Sequence, residues 1–104
     1  MKEVSDWESF KILLETHHVV FLDVYATWCG PCKKIAPVFE ELSRKFQSSL
    51  FTKTNCADSQ DIVFIKLNVA SIPTFIVFVD GKEVDRISGG NSEKLRSFVE
   101  EYAE

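Results

Sequence analysis

Glycine and proline are scarce in this 104-residue chain, four and three respectively, and no Gly/Ser/Pro-rich stretch gathers them into a linker. Repeats and low-complexity segments are absent too, so one domain spanning residues 1–104 is expected. No apolar run approaches the ~20 residues needed to span a bilayer. The opening MKEVSDWESF lacks the basic-then-apolar layout of a secretory signal, and its early acids disfavour a transit peptide. Positive charge is in the minority: 12 Lys and Arg face 16 Asp and Glu, for a net charge of −4. That balance argues against nucleic acid or an anionic membrane as the main partner. Three cysteines are too few, and an odd number, for a structural disulfide framework. What is present is 45% apolar and 27% charged residues, ordinary for a single soluble core. The expectation is a small, acidic, cytoplasmic domain whose cysteines need a chemical reason.

Met1 to Val4 can form a short edge strand. Ser5 and Glu8 make a capping-box pattern, which predicts a helix from Trp7 to Thr16 with Phe10, Leu13 and Leu14 inward. Val19 to Tyr25 is a nearly continuous apolar run, predicting a strand covered on both faces as in a parallel sheet. A helix from Cys29 to Phe46 follows, with Ile35, Val38, Phe39 and Leu42 on its apolar side. Pro37 lies inside it, where the missing N–H should bend the helix. Leu50 to Asn55 reads as a strand and Gln60 to Leu67 as a short helix. Thr74–Val79 and Lys82–Ser88 are strands joined at Asp80-Gly81, a strong two-residue hairpin signal. Asn91 is placed to cap a last helix over Ser92–Tyr102. The order βαβαβαββα predicts an α/β fold, with parallel crossovers first, an antiparallel hairpin last, and helices on both faces of a central mixed sheet.

The chemistry concentrates at Cys29-Gly30-Pro31-Cys32, where a buried strand hands over to a helix. A helix N-terminus offers unpaired N–H groups and a partial positive charge, both of which favour a thiolate. Two intervening residues let the cysteines approach across one helical turn, with Cys29 at the exposed end and Cys32 tucked further in. Pro31 suits a first turn, where a missing N–H goes unmissed, and it stiffens the loop. Lys33 and Lys34 add positive field where first turns usually carry acids. Half of a zinc or iron–sulfur site is the other use for such a pair. Only Cys56 and the adjacent His17 and His18 remain as further ligands, with no second C-x-x-C or His pair at finger spacing, so no metal is expected.

Asp23, six residues before Cys29, is a carboxylate inside a strand expected to be buried on both faces. Such burial is costly unless the group is paired or protonated, and desolvation should raise its pKa towards neutrality. It is therefore either a proton exchanger or an acid satisfied by backbone amides at the strand end. Lys53, in an alternating strand, would ordinarily be solvated. Pro73 precedes a strand, where proline costs no ladder bond, and a trans Ile72-Pro73 bond is the default. Trp28 would ordinarily pack in a core, Cys56 behave as a small buried hydrophobe, and Gly89 serve as a turn residue before a cap. His17 and His18 follow the first helix and can favour its C-terminal end, away from the cysteines.

Trp28-Cys29-Gly30-Pro31-Cys32 matches the active-site signature of the thioredoxin family, and a C-x-x-C near a βαβ pattern is that family's recognised mark. The resemblance runs through nearly the whole chain. It takes in Asp23, Ala26, Pro37, Lys53, Ile72-Pro73-Thr74, the Asp80-Gly81 hairpin and Ser88-Gly89. It implies the thioredoxin fold and a protein-disulfide reductase that carries electrons and maintains cell redox homeostasis. Cys29 would attack a substrate disulfide, and Cys32 would then resolve the mixed disulfide, leaving a redox-active Cys29–Cys32 bond. Asp23 would exchange the proton of Cys32, while Gly30, Pro31 and Lys53 would tune the site. Trp28, Ile72, Gly89 and a cis Pro73 would bind substrate, the Ile72 backbone pairing with it as an added strand. No cofactor is bound in such proteins; NADPH and FAD belong to a partner flavoprotein reductase. Ser71 replaces a cysteine found in some animal relatives, so dimerisation through that position is closed and a monomer is expected.

Two other functions fit parts of the pattern. A disulfide oxidase or isomerase would share the fold, but relatives of that kind carry His rather than Gly-Pro between the cysteines. A redox-idle docking module would use the apolar rim at Trp28, yet has no need of Asp23, Pro73 or an intact dithiol.

Overall fold

A computed structural model describes residues 1–104. Strand β1 (Lys2–Glu3) leads to helix α1 (Trp7–Thr16), strand β2 (Val19–Tyr25) and helix α2 (Gly30–Lys45). Strand β3 (Leu50–Asn55), a π-helical segment (Asp61–Lys66), the hairpin strands β4 (Thr74–Val79) and β5 (Lys82–Ser88), and helix α3 (Ser92–Tyr102) complete the chain. The five strands form one mixed sheet in the order β1-β3-β2-β4-β5. The pairs β1/β3 and β2/β3 are parallel, whereas β2/β4 and β4/β5 are antiparallel. The expected crossover-then-hairpin arrangement is therefore present. β2 is buried along almost its whole length because it has a strand on each side and helices on each face.

Strand alternation divides the core. Val20, Leu22 and Val24 face one side, packed with Phe10 and Leu14 of α1 and Ile62 and Val63 of the π-helical segment. Val19 and Phe21 face the other, where Ile35, Phe39 and Leu42 of α2 meet Phe51, Phe75, Leu95 and Phe98. Phe39 bridges the second layer, with ring centroids 5.2 Å from Phe51 and 5.3 Å from Phe75. By the same alternation Asp23 falls on the α2 side of the sheet. Its register partners are Lys53 on β3 and Phe75 on β4.

Two local readings are corrected. The cap of α1 is Asp6, not Ser5: its carboxylate accepts from the Ser9 N–H at 3.0 Å and the Ser9 hydroxyl at 2.8 Å. A charged acceptor at the positive end of a helix outcompetes a neutral hydroxyl one residue earlier. The segment expected as an ordinary helix over Gln60–Leu67 contains a π-helical turn instead, with the Leu67 N–H donating to the Ile62 carbonyl at 2.9 Å. The wider turn keeps Ile62, Val63 and Leu67 together in the core while Phe64 and Ile65 face solvent.

Other expectations stand. Asp80 (φ 52°) and Gly81 (φ 82°) both take the left-handed conformation of a type I′ hairpin turn. The Asn91 side chain accepts from the Lys94 N–H at 3.0 Å as the cap of α3. α2 continues through Pro37, with Cys29 and Phe46 as its caps.

Candidate active site

Cys29 caps α2, and its Sγ accepts from the Cys32 N–H at 3.3 Å. The helix thus directs an otherwise unpaired first-turn donor at the sulfur, the interaction that favours a thiolate there. Cys29 and Cys32 form a disulfide with their Cα atoms 5.3 Å apart. The expected contrast of an exposed Cys29 and a tucked-in Cys32 is absent in this oxidised form, because the residues are 6% and 5% exposed. Both cluster with buried Ala26, and the partly buried Tyr25, Cys56 and Ile72 pack against that cluster. Trp28, next in the loop, is 75% exposed and is not a core residue.

Asp23 shares a cavity with Cys32. It is 5% exposed, and its Oδ1 has no hydrogen-bond partner, so backbone amides do not satisfy it in full. Burial raises its pKa to about 7, with Lys53 lowering and Glu3 raising it as smaller effects. Asp23, Cys32, Lys53 and Tyr25 line a common cavity of about 250 Å³ on the α2 side of the sheet. Lys53 is half-buried, and its Nζ pairs with Glu3 Oε1 at 3.8 Å. The Tyr25 hydroxyl donates to Glu3 Oε2 at 2.7 Å.

The Ile72-Pro73 peptide is cis. Pro73 is buried at the start of β4, and its carbonyl accepts from the Gly89 N–H at 2.9 Å, so the two loops are tied. Gly89 has φ 98°, a conformation that disfavours any side chain. Its neighbour Gly90 was not singled out from the sequence, yet an added Cβ there would lie 3.2 Å from Pro31 Cβ. The glycine pair was the only available signal, and it reads as a turn until the approach to Pro31 is seen. A second hollow of about 200 Å³ lies by Trp28, lined by Cys56, Val63, Phe64 and Ile72 among others. Cys56 is thus half-buried beside the site, with its N–H donating to the Tyr25 carbonyl at 2.8 Å.

The family model for thioredoxin matches residues 2–101. The chain belongs to the thioredoxin family. It is 37% identical over 103 residues to thioredoxin 1 of Plasmodium falciparum, covering 99% of this chain and 98% of that protein. To the thioredoxin of Callithrix jacchus it is 36% identical over 104 residues, covering 98% of each. The solved P. falciparum thioredoxin superposes with a TM-score of 0.95 at 35% identity, over 99% of this chain and 100% of that one. The Fasciola hepatica thioredoxin gives 0.93 at 33% identity, over 98% and 99%.

As a thioredoxin-family protein with its dithiol pair intact, the chain is a thiol–disulfide oxidoreductase that reduces protein disulfides by exchange through Cys29 and Cys32. No three His, Cys, Asp or Glu side chains are grouped to hold a metal ion. His17 and His18 lie away from the thioredoxin site. His17 Nδ1 is 3.1 Å from the Leu13 carbonyl at the end of α1, and His18 pairs with Glu104 and Asp80.

Proposed function

We propose that the two thiols divide the work, Cys29 as nucleophile and Cys32 as resolving thiol, with Asp23 as the proton exchanger for Cys32. The observation that carries this reading is the unpaired, buried Asp23 carboxyl in the same cavity as Cys32. In the first step the Cys29 thiolate attacks one sulfur of a substrate disulfide, and the electron pair leaves on the other substrate sulfur. The Cys32 S–H proton then passes to the Asp23 carboxylate. The Cys32 thiolate attacks Cys29 Sγ, the mixed disulfide breaks, and the second substrate sulfur departs as a thiolate that water protonates. Two electrons move to the substrate, and the Cys29–Cys32 disulfide forms.

Gly30 and Pro31 open the first turn of α2 between the two cysteines and tune the pair, and Lys53 tunes Asp23. Trp28, Ile72 and Gly89 form the surface on which substrate docks, and the buried Pro73 supports Ile72 within that substrate-binding region. Ile72 contributes neither its N–H nor its C=O to the backbone bonds that close the loops, which supports pairing with an extended substrate strand. Electrons return from a flavoprotein thioredoxin reductase that holds the FAD and draws on NADPH. The protein acts as a monomeric, single-domain electron carrier in the cytoplasm and contributes to redox homeostasis there.

Trapping tests the division of labour. Cys32→Ser should accumulate a mixed disulfide between Cys29 and an oxidised protein substrate, read by intact-mass spectrometry after acid quench. Cys29→Ser should neither trap nor reduce. A stable adduct on Cys32 in the Cys29→Ser protein, with none on Cys29 in the other variant, would reverse the assignment.

A further inference from the structure

Lys53 is the register neighbour of two carboxylates at once, Asp23 on β2 and Glu3 on β1. Register partners point to the same face of a sheet, so the three side chains form a row in which Asp23 and Lys53 line the cavity and Glu3 lies beyond Lys53. The lysine's ion pair is made with the outer acid: Nζ lies 3.8 Å from Glu3 Oε1. Tyr25, two residues along β2 from Asp23, secures the same acid through a 2.7 Å hydrogen bond to Oε2. The lysine ammonium also lies 5.7 Å from the centroid of the Tyr25 ring. Glu3 therefore engages both polar side chains at this end of the cavity, and Asp23 Oδ1 is left without a partner.

We propose that Glu3 is a positioning residue for disulfide exchange: held by Tyr25, it anchors Lys53 away from Asp23 and so leaves the buried carboxyl free to take and return the Cys32 proton. The inference rests on the proton-exchange role assigned to Asp23 above. Without Glu3, Lys53 would have Asp23 as its one carboxylate neighbour in register, and a bonded carboxylate gives up its proton too easily to pass it back. The remaining groups facing Asp23 do not duplicate Glu3. α2 contributes Cys32, Lys33 and Glu40 to the cavity, β2 contributes Tyr25, Met1 with its α-amino group lines it ahead of β1, and β4 places uncharged Phe75 opposite Asp23. Asp58, just beyond β3, adds negative field at Tyr25. The direction of the electrostatics agrees with the geometry, since Lys53 lowers the Asp23 pKa and Glu3 raises it.

Glu3→Gln tests this while keeping an oxygen that can accept from Tyr25. The Asp23 carboxyl is followed by carbon-13 NMR in the oxidised protein, and release of substrate from the mixed disulfide by stopped flow, both across pH 5–9. Removing one charge two strand spacings away should lower the Asp23 midpoint by about half a pH unit, with the release profile moving alongside it. Lys53→Gln should move both the opposite way. If Glu3→Gln lowers the melting temperature but leaves the midpoint and the release profile in place, Glu3 is only a structural contact and the inference fails. Asp23→Asn separates the two readings. Should it slow release while Glu3→Gln leaves the profile unmoved, the Glu3 inference alone falls; should it leave release unchanged, both fall.

Discussion

Asp23→Asn in the oxidised protein should turn a stability that falls with rising pH into one that does not. In the unfolded chain the carboxyl titrates near its ordinary 3.8, and in the fold burial raises that to about 7. Between those values the folded state holds a proton that the unfolded state has released, so stability declines as pH rises. Below pH 3.8 the group is protonated in both states and the penalty vanishes; above pH 7 it is ionised in both and the penalty is full. A difference of roughly three pH units at ~1.4 kcal/mol each makes that full penalty about 4 kcal/mol. Asparagine cannot ionise, but it brings an amide donor to a place where Oδ1 already lacks a partner. Leaving a polar group unpaired costs about 1–3 kcal/mol at every pH. The decisive quantity is therefore the change with pH and not the absolute gain. Urea unfolding at pH 4 and pH 8 should show the advantage of Asp23→Asn growing by several kcal/mol between the two. An advantage equal at both pH values would refute the burial argument, because it would mean the carboxyl titrates alike in folded and unfolded protein.

Two smaller perturbations follow from the local structure. Asp6→Ala removes the cap of α1 and should lower Tm by about 5 °C, whereas Ser5→Ala should leave it nearly unchanged; calorimetry distinguishes the two caps. Gly90→Ala places a Cβ 3.2 Å from Pro31, so insulin-disulfide reduction should fall several-fold while the circular dichroism spectrum stays that of the native fold; full activity would show that Pro31 gives way without cost.

Much of the fold was legible because its signals are local. The apolar run of β2, the Asp80-Gly81 turn and the Asn91 cap each depend on a few adjacent residues, and each is found where expected. The dithiol and Asp23 were legible for a related reason, since unusual residue types stand out against a strand-to-helix handover. Contacts between distant segments were not. Glu3 reads as one acid among many until β1 pairs with β3 and sets it beside Lys53. Gly90 reads as half of a turn until the fold brings its backbone against Pro31. The nearly equal burial of Cys29 and Cys32 was hidden for the same reason, because Ile72 and Cys56, which pack against their cluster, lie far along the chain. Ser5 and Asp6 are both capping residue types, and the structure gives the place to Asp6, whose charged carboxylate reaches the Ser9 N–H.

The central claim, that Cys29 and Cys32 are a reducing dithiol and not an oxidising or idle one, is tested most directly by their reduction potential. Equilibration with glutathione or dithiothreitol buffers, quenched and read by thiol alkylation, should give a single two-electron couple for this pair. Its midpoint should be as reducing as the about −270 mV known for thioredoxin itself. A midpoint at or above about −180 mV, in the range of disulfide isomerases and oxidases, would contradict the account, as would the absence of any reversible couple.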